Sequence, residues 1–169
     1  MATQITQSYG TYTALTVTNL QSLANSATVG WQSVRIDNQT SVKAIDYEIF
    51  VKLTTANTAP ANDKIMYVYI SPAITTDGGT TWLHADQGTT TLPTGTEGTT
   101  TIASPNNLQL LGTMSYTSQQ MVCQGHFNLS SAVGQSMPDG FSIIIVNYSG
   151  AALSTSCVVA YRSIALTQT

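Results

Sequence analysis

Charged side chains are scarce in this 169-residue sequence. Asp, Glu, Lys and Arg make up 8% of it, against about 25% in an ordinary soluble domain. Thr, Ser, Gly, Asn and Gln take their place, so hydroxyl and amide groups must cover most of the surface. A neutral hydroxyl costs far less to remove from water than an ion, and another chain's backbone can replace its lost hydrogen bonds. The composition therefore favours a protein that packs against other protein.

Positive charge is sparse and is not clustered. The five cations are scattered along the chain, at Arg35, Lys43, Lys52, Lys64 and Arg162. Because binding to nucleic acid or anionic lipid needs a basic patch, the sequence predicts neither a nucleic-acid nor a membrane partner. The longest apolar run, residues 143–146, is too short to span a bilayer. The first residues lack the features of a secretion signal, so we expect synthesis in a cytosol.

Histidine and cysteine are too few for the common catalytic and metal sites. Cys123 and Cys157 lie in segments predicted to be strands, without a secretory context, which favours buried thiols over a disulfide. His84 and Asp86 lack the third ligand that a zinc or iron site needs. Cys123 and His126 fall on opposite faces of a strand, so they form no catalytic dyad. The sequence therefore predicts a protein that is not an enzyme and binds no cofactor or metal.

Alternation of apolar and polar residues predicts β structure almost throughout. It is clearest over residues 45–53, where Phe50 is the one apolar residue on the polar face. Residues 64–71 are apolar on both faces, which indicates a strand covered on both sides. Further strands are predicted at residues 11–17, 29–36, 108–116, 121–129, 141–148 and 157–166. About eight strands with little helix predict an all-β fold, a single-domain β-sandwich that is jelly-roll-like.

Residues 75–106 stand apart from this pattern. They are rich in Thr and Gly, and their bulky residues are Trp82, Leu83, Leu92 and Ile102. A structureless loop of about thirty residues is uncommon in a compact domain. We expect an extended arm or irregular hairpin that leaves the sandwich and becomes ordered against a neighbour. The alternative is a mobile surface loop.

Four aromatic residues are candidate contacts with another protein: Trp31, Tyr67, Tyr69 and Trp82. Interface energy concentrates in such side chains, which combine a large apolar area with a polar tip. Tyr67 and Tyr69 share one face of the strand predicted at residues 64–71. These two tyrosines are equally compatible with packing under a loop of the same chain.

Five segments carry a resemblance to a known family. They read YGTYTALTV at residues 9–17, VGWQSVRIDN at 29–38, IMYVY at 65–69, LLG at 110–112 and PDGFSIIIVNYSGAAL at 138–153. Together they resemble virion proteins of tailed bacteriophages. The resemblance implies a structural component of the particle, of the capsid decoration or cement type, with a β-sandwich fold. It transfers no binding residue, and Trp31 stands where a basic residue is expected.

The resemblance implies a partner and a location. The chain is expected to sit on assembled major capsid protein at the capsid surface and to clamp neighbouring subunits. A homo-oligomer, with a trimer favoured, would multiply the affinity by engaging several sites at once. Two alternatives remain: a neck, tail or fibre-base protein of the virion, and a carbohydrate-binding module whose exposed Trp and Tyr rings stack on sugars.

Overall fold

The computed structural model describes residues 4–39, 43–61, 64–84, 95–102, 108–134 and 136–168. These residues form twelve strands and one short helix. In chain order they are β1 (Ile5–Tyr9), β2 (Thr13–Ala14), β3 (Val29–Gln32), β4 (Ile36–Asp37), β5 (Asp46–Thr54), β6 (Ile65–Thr75), β7 (Trp82–His84), β8 (Gly98–Thr101), β9 (Gln109–Ser115), β10 (Val122–Asn128), α1 (Ser130–Val133), β11 (Gly140–Tyr148) and β12 (Val158–Gln168).

The strands form two antiparallel sheets, which confirms the predicted all-β, sandwich-like fold. One sheet has five strands in the order β1-β12-β5-β10, and β2 also pairs with β12. The other has seven strands in the order β7-β6-β11-β3-β8, with β9 also on β6 and β4 also on β11. Each predicted strand overlaps an observed one. The strand predicted at residues 29–36 is divided into β3 and β4.

The core lies between the two sheets and follows the period-two alternation. In β5, Tyr47, Ile49, Val51 and Leu53 are buried while the residues between them are partly exposed. In the seven-stranded sheet, the opposing core residues are Met66, Val68 and Ile70 of β6 and Phe141, Ile143 and Ile145 of β11. The β11 strand is buried along nearly its whole length. Its inner face lies in the core, and on its outer face Ile144 and Val146 pack with Ile102 and Leu108.

The Thr/Gly-rich segment is held to the sandwich where the structure describes it. The β7 strand pairs with β6, and β8 pairs with β3, so both extend edges of the seven-stranded sheet. This corrects the expectation that residues 75–84 and 95–102 leave the sandwich. Threonine suits a strand well, and an open sheet edge offers unpaired backbone groups for such a strand to bond. Residues 85–94 and 103–107 lie outside the described residues.

Ser33 forms the junction between β3 and β4. Its side chain is fully buried, and its backbone N–H donates to the Ile143 carbonyl at 2.9 Å. Its Oγ accepts from the Ile143 N–H at 2.9 Å and donates to the Val34 carbonyl at 2.7 Å. The Ser33 hydroxyl thus accepts the hydrogen bond from β11 at the point where the β3 strand ends.

We expect Ser33→Ala to destabilise the fold by about 1–3 kcal/mol, because it leaves the buried Ile143 N–H without an acceptor. The matched control is Ser142→Ala. Ser142 is equally buried, but its Oγ has no hydrogen-bond partner among the described residues, so its removal should be neutral or stabilising. Urea unfolding of both variants checks the prediction, and equal losses would contradict it.

Candidate protein interface

The outer face of the seven-stranded sheet carries two stacked tyrosines. The ring centroids of Tyr67 and Tyr69 are 6.0 Å apart, with an angle of 21° between the ring planes. Leu110 of β9 pairs with Tyr69, and 50% of its surface is exposed. Both tyrosines are partly exposed. Tyr67, Tyr69 and Leu110 form a surface that we call the tyrosine patch.

The tyrosine patch rests on a small apolar cluster of the same chain. Ile144 and Val146 of β11 pair with Tyr69 and Tyr67 respectively, and are buried together with Ile102 and Leu108. The tyrosines therefore pack against their own chain and are also partly exposed. The packing agrees with the interpretation that they lie under a loop of the same chain, and the exposure is what a contact with another protein requires. Burial raises the pKa of Tyr69, and the neighbouring Tyr67 raises it further. The Tyr69 hydroxyl is consequently neutral at physiological pH.

Trp31 is a core residue, which corrects its prediction as an exposed contact. Its exposed fraction is 0%, and its backbone pairs with Ile145 inside the sheet. The indole Nε1–H donates to Glu97 Oε1 at 2.7 Å. Because this carboxylate satisfies the one polar atom of the indole, the ring can be buried at no cost in hydrogen bonding.

Glu97 connects two distant parts of the chain through hydrogen bonds, and the sequence did not reveal this role. Besides Trp31, it accepts hydrogen bonds from the backbone N–H and the side-chain amide of Asn19, each at 2.8 Å. Burial acts to raise the pKa of Glu97, but the bonds from Trp31 and Asn19 outweigh it and hold the pKa below its ordinary value. The only available signal was an isolated acidic residue in a Thr/Gly-rich segment.

Trp82 is partly exposed at the end of the same sheet. Its Nε1–H donates to the Gly79 carbonyl at 2.8 Å, and the Arg35 guanidinium carbon lies 4.0 Å from its ring centroid. This cation–π contact covers one face of the indole. A sugar that stacked on Trp82 would therefore have to use the opposite face of the ring. The structure brings Tyr67 and Tyr69 together but places neither tryptophan with them.

A second exposed apolar surface lies beside Trp82. Ile74 of β6 and Leu83 of β7 are paired, and each is 53% exposed. They line a cavity of about 260 Å³ together with Pro72 and His84. Burial, reinforced by the nearby Arg35 charge, lowers the pKa of His84, so its ring is neutral at pH 7. Asp86, considered with His84 as a metal ligand, lies outside the described residues.

The outer face of the five-stranded sheet holds a closed ion-pair cluster. The Arg162 Nε–H donates to Glu48 Oε2 at 2.6 Å, and the guanidinium lies 4.8 Å from the ring centroids of both Tyr9 and Tyr12. The His126 Nδ1 lies 3.3 Å from Glu48 Oε1. His126 is on the exposed polar face, as predicted. Glu48 thus joins Arg162 and His126 in one cluster on this face.

Partial burial acts to raise the pKa of Glu48. Hydrogen bonds from Arg162, Tyr12 and His126 and the Arg162 charge outweigh it, so the pKa lies below its ordinary value. The stabilising effect of this carboxylate therefore depends on its remaining ionised.

Two further observations concern metal and membrane. Among the residues that the structure describes, no three of His, Cys, Asp and Glu come together as a group able to hold a metal ion. Within the same residues, no helix is long and apolar enough to cross a membrane.

Both cysteines are free thiols, with Cys157 buried and Cys123 partly so, which confirms the prediction of unpaired thiols.

Comparisons with models of protein families, with curated protein sequences and with solved structures found no match. The resemblance to phage virion proteins therefore stays a prediction from the sequence.

Acid should destabilise the protein partly through Glu48 and Glu97. Each has a folded-state pKa below the ordinary value of 4.5, so each stabilises the fold above that pH, and the contribution is lost as the pH falls through the lowered values. Between pH 7 and pH 3, we expect the melting temperature of the double variant Glu48→Gln/Glu97→Gln to fall by less than that of the wild type. Thermal unfolding followed by circular dichroism measures this. Parallel curves for the two proteins would refute it.

Proposed function

We propose that this chain is a non-enzymatic structural protein of a bacteriophage virion, a capsid decoration protein that binds assembled major capsid protein. The observation that carries the proposal is the tyrosine patch on the outer face of the seven-stranded sheet. Two stacked aromatic rings and a half-exposed leucine form a neutral apolar surface, supported from beneath by buried side chains. Aromatic anchors on a rigid base are typical of protein interfaces.

The composition of the surrounding surface supports a protein partner. Hydroxyl and amide groups dominate it, and the ion pairs found on the five-stranded sheet lie on the opposite side of the sandwich from the patch. Covering the patch therefore requires little desolvation of charge, which is the most expensive part of forming an interface. The Tyr69 hydroxyl can keep a hydrogen bond to backbone or water at the rim.

Repetition on the capsid strengthens such a contact. A capsid presents the same protein many times, so a decoration protein that is itself oligomeric engages several sites at once, and each further contact is intramolecular. A small patch on each subunit is then sufficient for stable binding to the capsid, because several patches bind at once. The proposed effect on the particle is added buried area across the joints between capsid subunits, and so greater resistance to heat and pressure.

Binding to undecorated capsids tests the proposal. We expect purified protein to sediment with the capsids and to raise the temperature at which they release their DNA. Tyr69→Ser should weaken this binding by about tenfold or more, which corresponds to ~1.4 kcal/mol. The matched control is Val122→Ser, which removes a 49% exposed apolar side chain from β10 of the other sheet and should leave binding unchanged.

Three outcomes would count against the proposal. They are no binding to capsids, binding without a gain in heat tolerance, and equal losses for Tyr69→Ser and Val122→Ser. Copy number in the intact particle separates decoration from the alternative of a neck, tail or fibre-base protein. Decoration requires a copy number comparable with that of the capsid subunits, whereas a tail component is present only a few times.

A further inference from the structure

The two ends of the described chain form a ribbon that projects from the five-stranded sheet. The β12 strand pairs with β5 from Val158 to Ile164 and with β1 from Ile164 to Gln168. Residues 165–168 and β1 therefore lie beyond the end of β5. Ile5, Tyr9 and Leu166 in this ribbon are 68%, 54% and 50% exposed. A two-stranded ribbon with its apolar side chains in water is marginally stable unless something covers it.

The backbone of β1 has an open edge whose hydrogen-bonding groups can be assigned. The Gly10 N–H donates to the Ser163 carbonyl at 2.8 Å, so this pair belongs to the hydrogen-bonded kind. In an antiparallel ladder such pairs alternate with pairs whose N–H and C=O groups point away. Because the pattern repeats every two residues, the backbone N–H and C=O groups of Ser8 and Thr6 also point toward β12. The backbone groups of Ile5, Gln7 and Tyr9 consequently face the open edge.

This edge carries none of the usual protection against pairing. Natural sheet edges are blunted by charged side chains, proline, bulges or a covering loop. The β1 sequence, ITQSY, contains no charge and no proline, and its register with β12 runs without a bulge. Among the described strands β1 pairs with β12 alone, and four of its five residues are exposed.

The β1 sequence is complementary to itself in the antiparallel direction. When two copies are centred on Gln7, the two Gln7 residues face each other and Ile5 faces the partner's Tyr9. Thr6 then faces the partner's Ser8. β-Branched–aromatic and Thr–Ser pairs are favourable across antiparallel strands. The same register sets the open backbone groups of Ile5, Gln7 and Tyr9 opposite one another, so each pair exchanges both of its hydrogen bonds.

We propose that β1 pairs antiparallel with β1 of a second copy of this chain about a two-fold axis, so that two five-stranded sheets become one continuous sheet. The contact is isologous, because each copy contributes the same edge. Absence of charge from the edge lets two identical copies meet without repulsion, although each chain carries a net charge of −3. The inference is independent of the proposed capsid binding, which uses the other sheet.

Gln7→Pro tests the pairing selectively. Proline at residue 7 removes an N–H that faces the open edge and leaves the bonds between β1 and β12 in place. We expect the wild type to sediment as a dimer and Gln7→Pro to sediment as a folded monomer, with a dimer dissociation constant raised at least tenfold. The control Gln7→Thr retains the N–H and should stay dimeric. Sedimentation velocity over a range of concentrations gives the mass, and circular dichroism reports folding.

Two variants of opposite charge at residue 7 test whether the partner of the β1 edge is a second copy of this chain. Gln7→Lys places like charges opposite each other across the axis, as does Gln7→Glu, so each variant alone should be monomeric at low salt. An equal mixture of the two should regain the dimer, because the opposite charges then face each other. No other partner for this edge predicts that rescue.

The remaining outcomes overturn the inference. A wild type that stays monomeric at all concentrations would do so, as would a dimer or trimer whose mass is unchanged by Gln7→Pro. Failure of the mixed charge variants to associate would also overturn it. Should Gln7→Pro fail to fold, the charge variants decide the question alone. Loss of capsid binding by Tyr69→Ser bears on the proposed function and leaves this result unaffected.

Discussion

The pairing of β6 with β11 is the contact on which the rest of the structure depends. It runs without a break from Ile65–Tyr148 to Ala73–Gly140. One face of this pair supplies six of the 22 buried residues of the main core, and the other face supplies the base of the tyrosine patch. Because side chains alternate with a period of two, a slip of one residue would exchange the two faces. The core and the candidate interface are therefore determined by a single register.

Uncharged polar side chains hold the connections around this pair. Asn38 Oδ1 accepts from the Ala44 N–H and from the Tyr47 hydroxyl, each at 2.9 Å. Asn147 donates to the carbonyls of Leu23 and Ala151 at 3.0 and 2.8 Å. Both asparagines are buried. Amides that donate and accept at once satisfy buried backbone where a charge would be costly to bury. The scarcity of charge thus applies to the inside of the molecule as well as to its surface.

The sequence predicted local structure well and long-range contacts poorly. Alternation within β5, β6 and β11 depends on neighbouring residues, so the strands were recognisable. Trp31 was misplaced because its burial depends on Glu97, which is distant in the sequence. The ribbon was missed for a similar reason, since ITQSY is mostly polar and becomes a strand by pairing with β12. The adjacency of Tyr67 and Tyr69 was predictable because both occupy the same face of a single strand.

The ribbon also places Ile5 and Gln168 opposite each other. A label attached at Ile5 and one attached at Gln168 would therefore lie side by side, next to the open edge of β1. Two such labels on one molecule would crowd each other there, and a single bulky one would shield the edge. Conversely, a short linker from Gln168 to Ile5 would close residues 5–168 into a circle with little strain, so a new opening could be made in a surface loop elsewhere.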